Sequence, residues 1–286
     1  FLSSNIFSIF TITDIFNLFL LFLYRKIGNE TAGKLFKNKF SAKSQELFFN
    51  PFFKGIFLSK ELKNDTKFFH KVFKKFALGK ASIPAGGMSS LPNTIIENSN
   101  LNIRYNSELV KIKDRTAFFD NGEKHEFDLL VFAAPIHNIN KVIDMNISMN
   151  YNENKTLYIS SSKNVLNKSI LLVPNKEFKT NSILCLSNVS NNYTHSNEHL
   201  YSLSSLYADT KDEILLEEFK IITGLQSNEM KLVKSYSLKT ALPESIKKIE
   251  SKNNIHFSGD WSQEPSIDGA IKSGRLTAKD LNNSFK

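Results

Sequence analysis

The sequence is short of the residues that build cross-linked or low-complexity proteins. Its 286 residues include one cysteine, Cys185, with 11 glycines and 7 prolines. One cysteine can form neither an intramolecular disulfide nor a cysteine metal cluster, and it agrees with a reducing compartment. The low glycine and proline content excludes a collagen-like chain, and 41% hydrophobic residues exclude a mainly disordered one. The composition therefore indicates a globular protein with enough chain for one large domain or two smaller ones.

Metal and phosphate motifs are also scarce. His195 and His199 are four residues apart, but they fall in an Asn- and Ser-rich stretch instead of on one helix face, so we expect no metal site. The chain has no Walker-type glycine loop, no Gly-x-Ser-x-Gly elbow and no Gly-x-Gly-x-x-Gly motif. Cys185 lies in an apolar segment that is typical of a strand, which predicts a buried, inert thiol.

Charge of one sign is in excess, but it is spread along the chain. Lys and Arg number 37 and Asp and Glu 28, a formal net charge of +9. Because the basic residues are scattered, we expect a solvated surface and no nucleic-acid partner.

The N-terminal stretch from Ile6 to Tyr24 is very apolar and is followed by Arg25-Lys26. Asp14 and Asn17 interrupt it, so a buried or membrane-touching helix capped at Thr13-Asp14 is favoured over a spanning one. We expect a cytoplasmic protein, with peripheral membrane contact as an open alternative.

Residues 31–70 are Phe-rich and predict helices that break near Pro51 and Gly55. Phe52, Phe53 and Phe57 belong to this region. Closely spaced aromatics are usually core residues, and the alternative is the wall of an apolar substrate tunnel.

Strand patterns occupy the middle of the chain. Alternation predicts strands at 101–105 and 108–112, and Asn121-Gly122 predicts a hairpin between 116–119 and 124–127. The continuous apolar run at 128–135 predicts a strand buried on both faces of a partly parallel sheet. Residues 157–207 predict an antiparallel sheet, 212–223 a helix with a solvated acidic face, and 231–238 a further strand.

The C-terminal segment has the most informative pattern. It reads as a strand at 255–257, a glycine turn containing Asp260, and a helix at about 268–282 that opens on small residues. Backbone N–H groups are free at a helix N-terminus, and Asp260 could accept hydrogen bonds from a polyol. Ile271, Gly274, Ala278 and Leu281 share one face, which we expect to pack on a sheet. An ordinary strand, loop and helix is the alternative on physical grounds alone.

This segment resembles the C-terminal flavin-binding signature of the FAD-dependent amine oxidase superfamily, which includes phytoene desaturases and protoporphyrinogen oxidases. Other segments resemble that family in the expected order. They are the Phe-rich stretch 48–57, the Pro-x-Gly-Gly-Met-like turn 83–88, the strand containing Val110, the strand 128–135 with Ala134 in place of the usual Thr, and Leu242-Pro243.

The resemblance implies FAD as cofactor and a set of site residues. Gly259 and Asp260 would contact its pyrophosphate and ribityl part, and Gly269 and Ala270 would present backbone N–H groups to the flavin. Gly86, Gly87 and Met88 would pass near the isoalloxazine. The remaining cofactor-binding candidates are Val110, Ala133, Pro135, Ile267 and Ser273, and the substrate-binding candidates are Phe52, Phe53 and Phe57.

The resemblance also implies an α/β plus α+β fold with two domains, a discontinuous FAD-binding domain and an interleaved substrate domain with antiparallel sheet and helices. We expect a helical part of the substrate domain at 1–80, FAD-binding segments at 81–145 and 241–286, and the sheet of the substrate domain at 146–240. The glycine motif that opens the family is absent, and residue 1 is Phe1, so we expect the N-terminal βαβ unit to be missing.

The implied function is oxidation, by dehydrogenation or desaturation, of a hydrophobic small molecule. The alternative is an inactive remnant or a partner-binding scaffold, because half of the cofactor would lack its glycine cradle. The substrate, the electron acceptor and the oligomeric state are not readable from these residues.

Overall fold

A computed structural model of the protein describes residues 6–23, 30–174, 176–194, 197–252 and 254–284. Phe1, Arg25, Lys26 and His195, which entered the sequence analysis, lie outside these ranges. The helices are α1 (Ile6–Ile9), α2 (Ile12–Leu23), α3 (Ala32–Lys39), α4 (Ala42–Ser44), α5 (Asn50–Phe57), α6 (Thr66–Leu78), α7 (Ser90–Glu97), α8 (Ile136–Val142), α9 (Asp212–Thr223) and α10 (Ile267–Ser284). The strands are β1 (Leu109–Lys113), β2 (Thr116–Phe119), β3 (Lys124–Glu126), β4 (Leu130–Phe132), β5 (Tyr151–Ser161), β6 (Ile170–Leu172), β7 (Thr180–Cys185), β8 (His199–Ser205), β9 (Met230–Pro243) and β10 (Ile255–Phe257).

The chain forms two compact units, each built from two segments. Unit 1 comprises Phe1–Glu97 and Asn152–Ala241, and unit 2 comprises Asn98–Tyr151 and Leu242–Lys286. These units divide at 97/98, 151/152 and 241/242, and the expected assignment of segments to an FAD-binding and a substrate domain stays a prediction. The hydroxyl of Tyr193 donates to the Pro84 carbonyl at 2.7 Å, which ties the 83–88 turn to the sheet segment of unit 1.

Polar caps set the starts of the helices in unit 1. Thr11 precedes α2, where its hydroxyl accepts the Asp14 amide and its own amide donates to the Asp14 carboxylate. The cap expected at Thr13 is therefore wrong by two residues. Thr31 caps α3 and Asp65 caps α6 in the same way, each satisfying an amide that the first turn leaves unpaired.

A phenylalanine-rich core joins these helices. Phe36, Phe49, Phe53, Phe57 and Phe69 are fully buried, and the Phe36 and Phe69 rings meet edge to face with centroids 4.9 Å apart. Aromatic pairs at such distances contribute beyond the area that they bury. This packing positions α2, α3, α5 and α6 around one centre.

The helix break expected near Pro51 and Gly55 is wrong. Helix α5 runs through both residues and ends at Phe57, followed by Leu58 in the left-handed conformation. Pro51 lies in the first turn of α5, where proline is tolerated. At Gly55 a Cβ would lie 2.6 Å from Nδ2 of Asn181, so glycine here permits a close approach of β7.

The sheet of unit 1 has the strand order β6-β7-β8-β5-β9. The pairs β6–β7, β7–β8 and β5–β8 are antiparallel, as expected. Helix α9 has the predicted bounds and buries Leu215 and Phe219 in the core of this sheet. The expectation of a fully solvated acidic face on α9 is wrong. Glu218 is buried, and its carboxylate accepts hydrogen bonds from the amides of Lys179 and Thr180 at 2.8 Å each.

Unit 2 contains a three-stranded antiparallel sheet, β1-β2-β3, and a two-stranded parallel sheet, β10-β4. The hairpin between β2 and β3 is confirmed, with Gly122 at φ 84° in its turn. Residues 101–105 form no strand and no partner strand pairs with them in the described structure, so that prediction is wrong. Cys185 of unit 1 is buried, as expected.

Burial in the parallel pair is one-sided. Strand β4 pairs in parallel with β10, but Val131 is 40% exposed, so burial on both faces is wrong. The packing face expected for α10 is also wrong, because Ile271 is 51% exposed and Gly274 and Ala278 are exposed. The helix buries Gly269 and Ser273 instead. Within the described residues no helix is both long and apolar enough to cross a bilayer.

Candidate functional site

The candidate site lies in unit 2, where β4 and β10 end. Because the two strands are parallel, their carboxyl ends meet at one edge of the sheet, the edge at which open α/β sheets bind ligands. β4 is followed by Ala133-Ala134-Pro135, and β10 by Ser258-Gly259-Asp260-Trp261. The indole Nε1 of Trp261 donates to the Ala134 carbonyl at 3.0 Å, which joins the two segments.

A cluster of serine hydroxyls holds the turn that contains Gly259 and Asp260. The Ser273 hydroxyl accepts the Gly259 amide at 3.0 Å and the Ser258 hydroxyl at 3.1 Å, and it lies 2.7 Å from the Ser262 hydroxyl. Ser273 is 2% exposed. Its place is therefore behind the turn, where it positions Gly259 through these bonds.

Gly259 and Gly269 of the C-terminal segment have no room for a side chain. At Gly259, whose backbone is extended, a Cβ would lie 2.2 Å from Nε1 of Trp261. At Gly269 a Cβ would lie 1.9 Å from the Glu264 carbonyl oxygen. Any side chain at either position would displace the turn or the start of α10.

Asp260 is a half-buried carboxylate at the tip of this turn. Burial raises its pKa, and the amide of Trp261, which donates to Oδ1 at 2.9 Å, only partly offsets that effect. An acid whose charge is disfavoured by its surroundings is typical of functional sites.

Tyr151 interacts electrostatically with Asp260, and the His137 ring contacts Tyr151; sequence reasoning found neither residue. The Tyr151 hydroxyl accepts the Ile136 amide at 3.0 Å, and its pKa is raised by burial and further by the charge of Asp260. The His137 ring meets Tyr151 edge-on, and its buried Nδ1 has no partner among the described residues. The one sequence feature that could have pointed to His137 is its position two residues after Pro135, at the end of the predicted strand 128–135.

The donor groups at the start of α10 differ from those expected. The Gly269 amide donates to the Ser266 hydroxyl and the Ala270 amide to the Ser266 carbonyl, each at 3.0 Å. The expectation that these two amides face a ligand is therefore wrong, because Ser266 caps the helix. The Ile267 amide makes no hydrogen bond within the described part of the chain and is the available donor.

The other predicted cofactor residues divide between the units. Ala133, Pro135 and Ala270 are exposed in unit 2, and Val110 is 47% exposed on β1. Gly86, Gly87 and Met88 belong to unit 1. There they form a turn in which the Gly87 amide donates to the Pro84 carbonyl at 3.1 Å and Gly87 has φ 89°.

The predicted substrate residues lie in the core of unit 1. Phe53 and Phe57 are 2% and 1% exposed and contact other rings, so a tunnel wall is wrong for both; Phe52 is half-buried and stacks on Phe48. A cavity of about 210 Å³ beside α5 is lined by a mixture of polar, charged and apolar residues, among them Lys54, Asn181 and Leu206, and by none of these three phenylalanines. No three metal-ligating side chains come together in the described ranges.

Comparison with known proteins identifies the family. Residues 20–216 match the model for flavin containing amine oxidoreductases, well over half of the chain. A search of curated proteins finds no match.

Three solved structures share the fold. An oxidoreductase from Methanosarcina mazei has a TM-score of 0.75 and 14% identity, covering 97% of this chain and 75% of that one. A protein from Pyrococcus furiosus has a TM-score of 0.70 and 16% identity, with 93% and 71% covered. A structure described as a protoporphyrinogen oxidase, from Exiguobacterium sp. 255-15, has a TM-score of 0.68 and 12% identity, with 97% and 73% covered.

At these identities the structural likeness establishes the mixed α/β fold, and the family match establishes the flavin cofactor and the oxidoreductase class. FAD is the cofactor that the family implies, and oxidation and reduction are its reaction class. The chain therefore belongs to the flavin containing amine oxidoreductase family.

Proposed function

We propose that this flavin oxidoreductase dehydrogenates or desaturates a hydrophobic small molecule, with its FAD held at the carboxyl edge of β4 and β10. The observation that supports this most is the turn at Gly259-Asp260, fixed by Ser273 and Trp261 beside an unpaired helix amide. In a turn of this kind the groups that bind a ligand are already held in position before the ligand arrives.

The residues of unit 2 fit the ribityl and flavin parts of FAD. The Asp260 carboxylate, which its neighbours do not saturate, would accept hydrogen bonds from ribityl hydroxyls. The Ile267 amide at the start of α10 would donate to the flavin edge, where a positive helix end favours negative charge. Bound FAD would supply the hydride acceptor, and these residues of unit 2 would hold and orient it.

Two observations support an apolar substrate. Met88, Leu91 and Ile95 of unit 1 are 50%, 37% and 53% exposed, and the turn that contains Met88 is the one that resembles the family's Pro-x-Gly-Gly-Met turn. The structure from Exiguobacterium is described as a protoporphyrinogen oxidase, a description that names a porphyrinogen as the substrate.

The test uses the purified protein. We expect visible flavin absorbance, release of FAD on denaturation, and a thermal midpoint that rises when FAD is added. Anaerobic bleaching of the flavin by one member of a panel of porphyrinogens, polyenes and amines would identify the substrate class. A folded protein that binds no FAD would contradict the proposal and favour the remnant or scaffold, which the absent glycine motif motivates.

A further inference from the structure

Helix α2 exposes an apolar stripe along its whole length. Ile12, Phe16, Phe19 and Leu23, spaced by four, three and four residues, are 80%, 58%, 58% and 56% exposed. This spacing places the four side chains on one helix face. Large apolar side chains scattered singly on a surface are normal, but an aligned group of this size marks an interaction surface.

The stripe is a fixed feature because the opposite face of α2 is anchored. Ile15, Leu18 and Leu21 pack against the phenylalanine-rich core of unit 1. Asp14 accepts the amide and hydroxyl of Ser41, and Nε2 of His70 lies 2.7 Å from the Leu21 carbonyl oxygen. Turning the stripe inward would break these contacts.

Two helices that hydrogen-bond with α2, α3 and α6, contain basic and no acidic side chains within their bounds. The side chain of Asn17 donates to the carbonyl of Lys39, at the end of α3, and His70 belongs to α6. The lysines of these two helices are Lys34, Lys37 and Lys39 on α3, and Lys67, Lys71, Lys74 and Lys75 on α6. An apolar stripe beside basic helices is complementary to a membrane surface that contains anionic lipid.

We propose that α2 lies flat in the interface of an anionic membrane, with its stripe among the acyl chains and the lysines of α3 and α6 toward the headgroups. Its 12 residues are too few to span a bilayer. This proposal stands on the surface of unit 1 and does not depend on the flavin chemistry.

Vesicle flotation of the full protein tests the proposal. We expect it to float at low salt with phosphatidylglycerol-containing vesicles, to float poorly with pure phosphatidylcholine, and to be released by high salt. Phe16→Ser with Phe19→Ser should lower the vesicle affinity at least tenfold and leave the thermal midpoint unchanged, since both rings are exposed. Each of Lys37→Gln and Lys39→Gln should lower it about fivefold.

Helix α9 offers a matched control. Ile214 and Ile221 are 48% and 62% exposed, but this helix begins with Asp212 and Glu213. Replacing both isoleucines by serine should leave flotation unchanged, whereas an effect as large as that of the α2 variant would overturn the assignment to α2.

A local probe reports on α2 itself. Phe19→Trp, placed in a Trp261→Phe background, should shift its emission to the blue on vesicle binding and be quenched by brominated acyl chains. Absence of flotation at low salt would overturn the proposal. So would a lipid-free dimer that the Phe16→Ser, Phe19→Ser variant dissociates, because the stripe would then be covered by a second copy.

Discussion

Each of the two units contains an aspartate whose carboxylate is withdrawn at least partly from water, and the surroundings shift the pKa values of the two in opposite directions. Asp14 in unit 1 receives hydrogen bonds from Thr11 and from Ser41, and these outweigh the effect of burial and lower its pKa to about 2. Asp260 in unit 2 receives one neighbouring amide, and burial raises its pKa. A structural carboxylate is satisfied within the fold, whereas the unsatisfied one lies where a ligand is expected.

The same difference separates the packing of the two regions. Unit 1 is centred on rings that fill its core, so side-chain volume determines its stability. The turn of unit 2 is held by serine hydroxyls and one indole, with glycines where no Cβ fits. Substitutions should therefore unfold the first region and distort the second, and four predictions test this comparison from the largest expected effect to the smallest.

Phe53→Ala should lower the free energy of unfolding by about 3–5 kcal/mol, because it leaves a cavity among buried rings. Urea denaturation followed by far-UV circular dichroism measures the change. Phe19→Ala is the matched control: its ring is 58% exposed, so we expect a change within about 0.5 kcal/mol. Equal effects of the two variants would refute the assignment of Phe53 to the core.

Asp14→Asn should cost about 2 kcal/mol at neutral pH, the free energy that corresponds to lowering a pKa from 3.8 to about 2. Because the folded pKa is lowered, this stabilisation is present above pH 3.8 and is lost as pH falls toward 2. The effect of Asp260 on stability has the opposite sign. Because its pKa is raised in the folded state, ionisation of Asp260 lowers the stability of the fold as pH rises above 3.8. Asp260→Asn should therefore raise the free energy of unfolding at neutral pH and leave it unchanged at acid pH. Unfolding curves at several pH values would refute the comparison if both variants behaved alike.

Gly269→Ala should destabilise unit 2 by about 1–3 kcal/mol, because the new Cβ would overlap the Glu264 carbonyl. Gly274→Ala provides the control on the same helix, since the nearest atom to its Cβ would be 4.0 Å away. Alanine favours helix over glycine, so this variant should gain up to about 1 kcal/mol. Denaturation followed by the emission of Trp261, the one tryptophan, reports on unit 2 directly.

Trp261→Phe should have the smallest effect, about 1 kcal/mol, through loss of the hydrogen bond to the Ala134 carbonyl. Its consequence for the site should be larger, since this bond joins the ends of β4 and β10. We expect weaker FAD binding with a nearly unchanged thermal midpoint. Unchanged FAD affinity would show that the link does not position the site.

Local patterns were sufficient to predict several elements. Helix α9, strand β10 and the Asn121-Gly122 hairpin follow from periodicity and turn chemistry that each segment carries within itself. The family resemblance, confirmed by the comparison with the flavin family model, supplied the cofactor.

Features that depend on distant segments were not predictable. The burial of Glu218 requires the amides of Lys179 and Thr180, about 40 residues away in sequence. The inward face of α10 was misassigned because Ser273 is drawn in by hydroxyls of the preceding turn while Ile271 stays exposed. At the site, Ser266 accepts hydrogen bonds from the amides of Gly269 and Ala270, which the motif had predicted to face the ligand. The capping geometry at the start of α10 determines this pairing.

The most direct test of the central claim, that the turn after β10 holds the flavin, is FAD titration followed by the fluorescence of Trp261. This tryptophan adjoins Asp260, and bound flavin would quench it by energy transfer. We predict saturable quenching, with an affinity that is weakened in Gly269→Ala and retained in Gly274→Ala. FAD binding that leaves Trp261 emission unchanged, or equal affinities of the two variants, would contradict the placement of the cofactor at this turn.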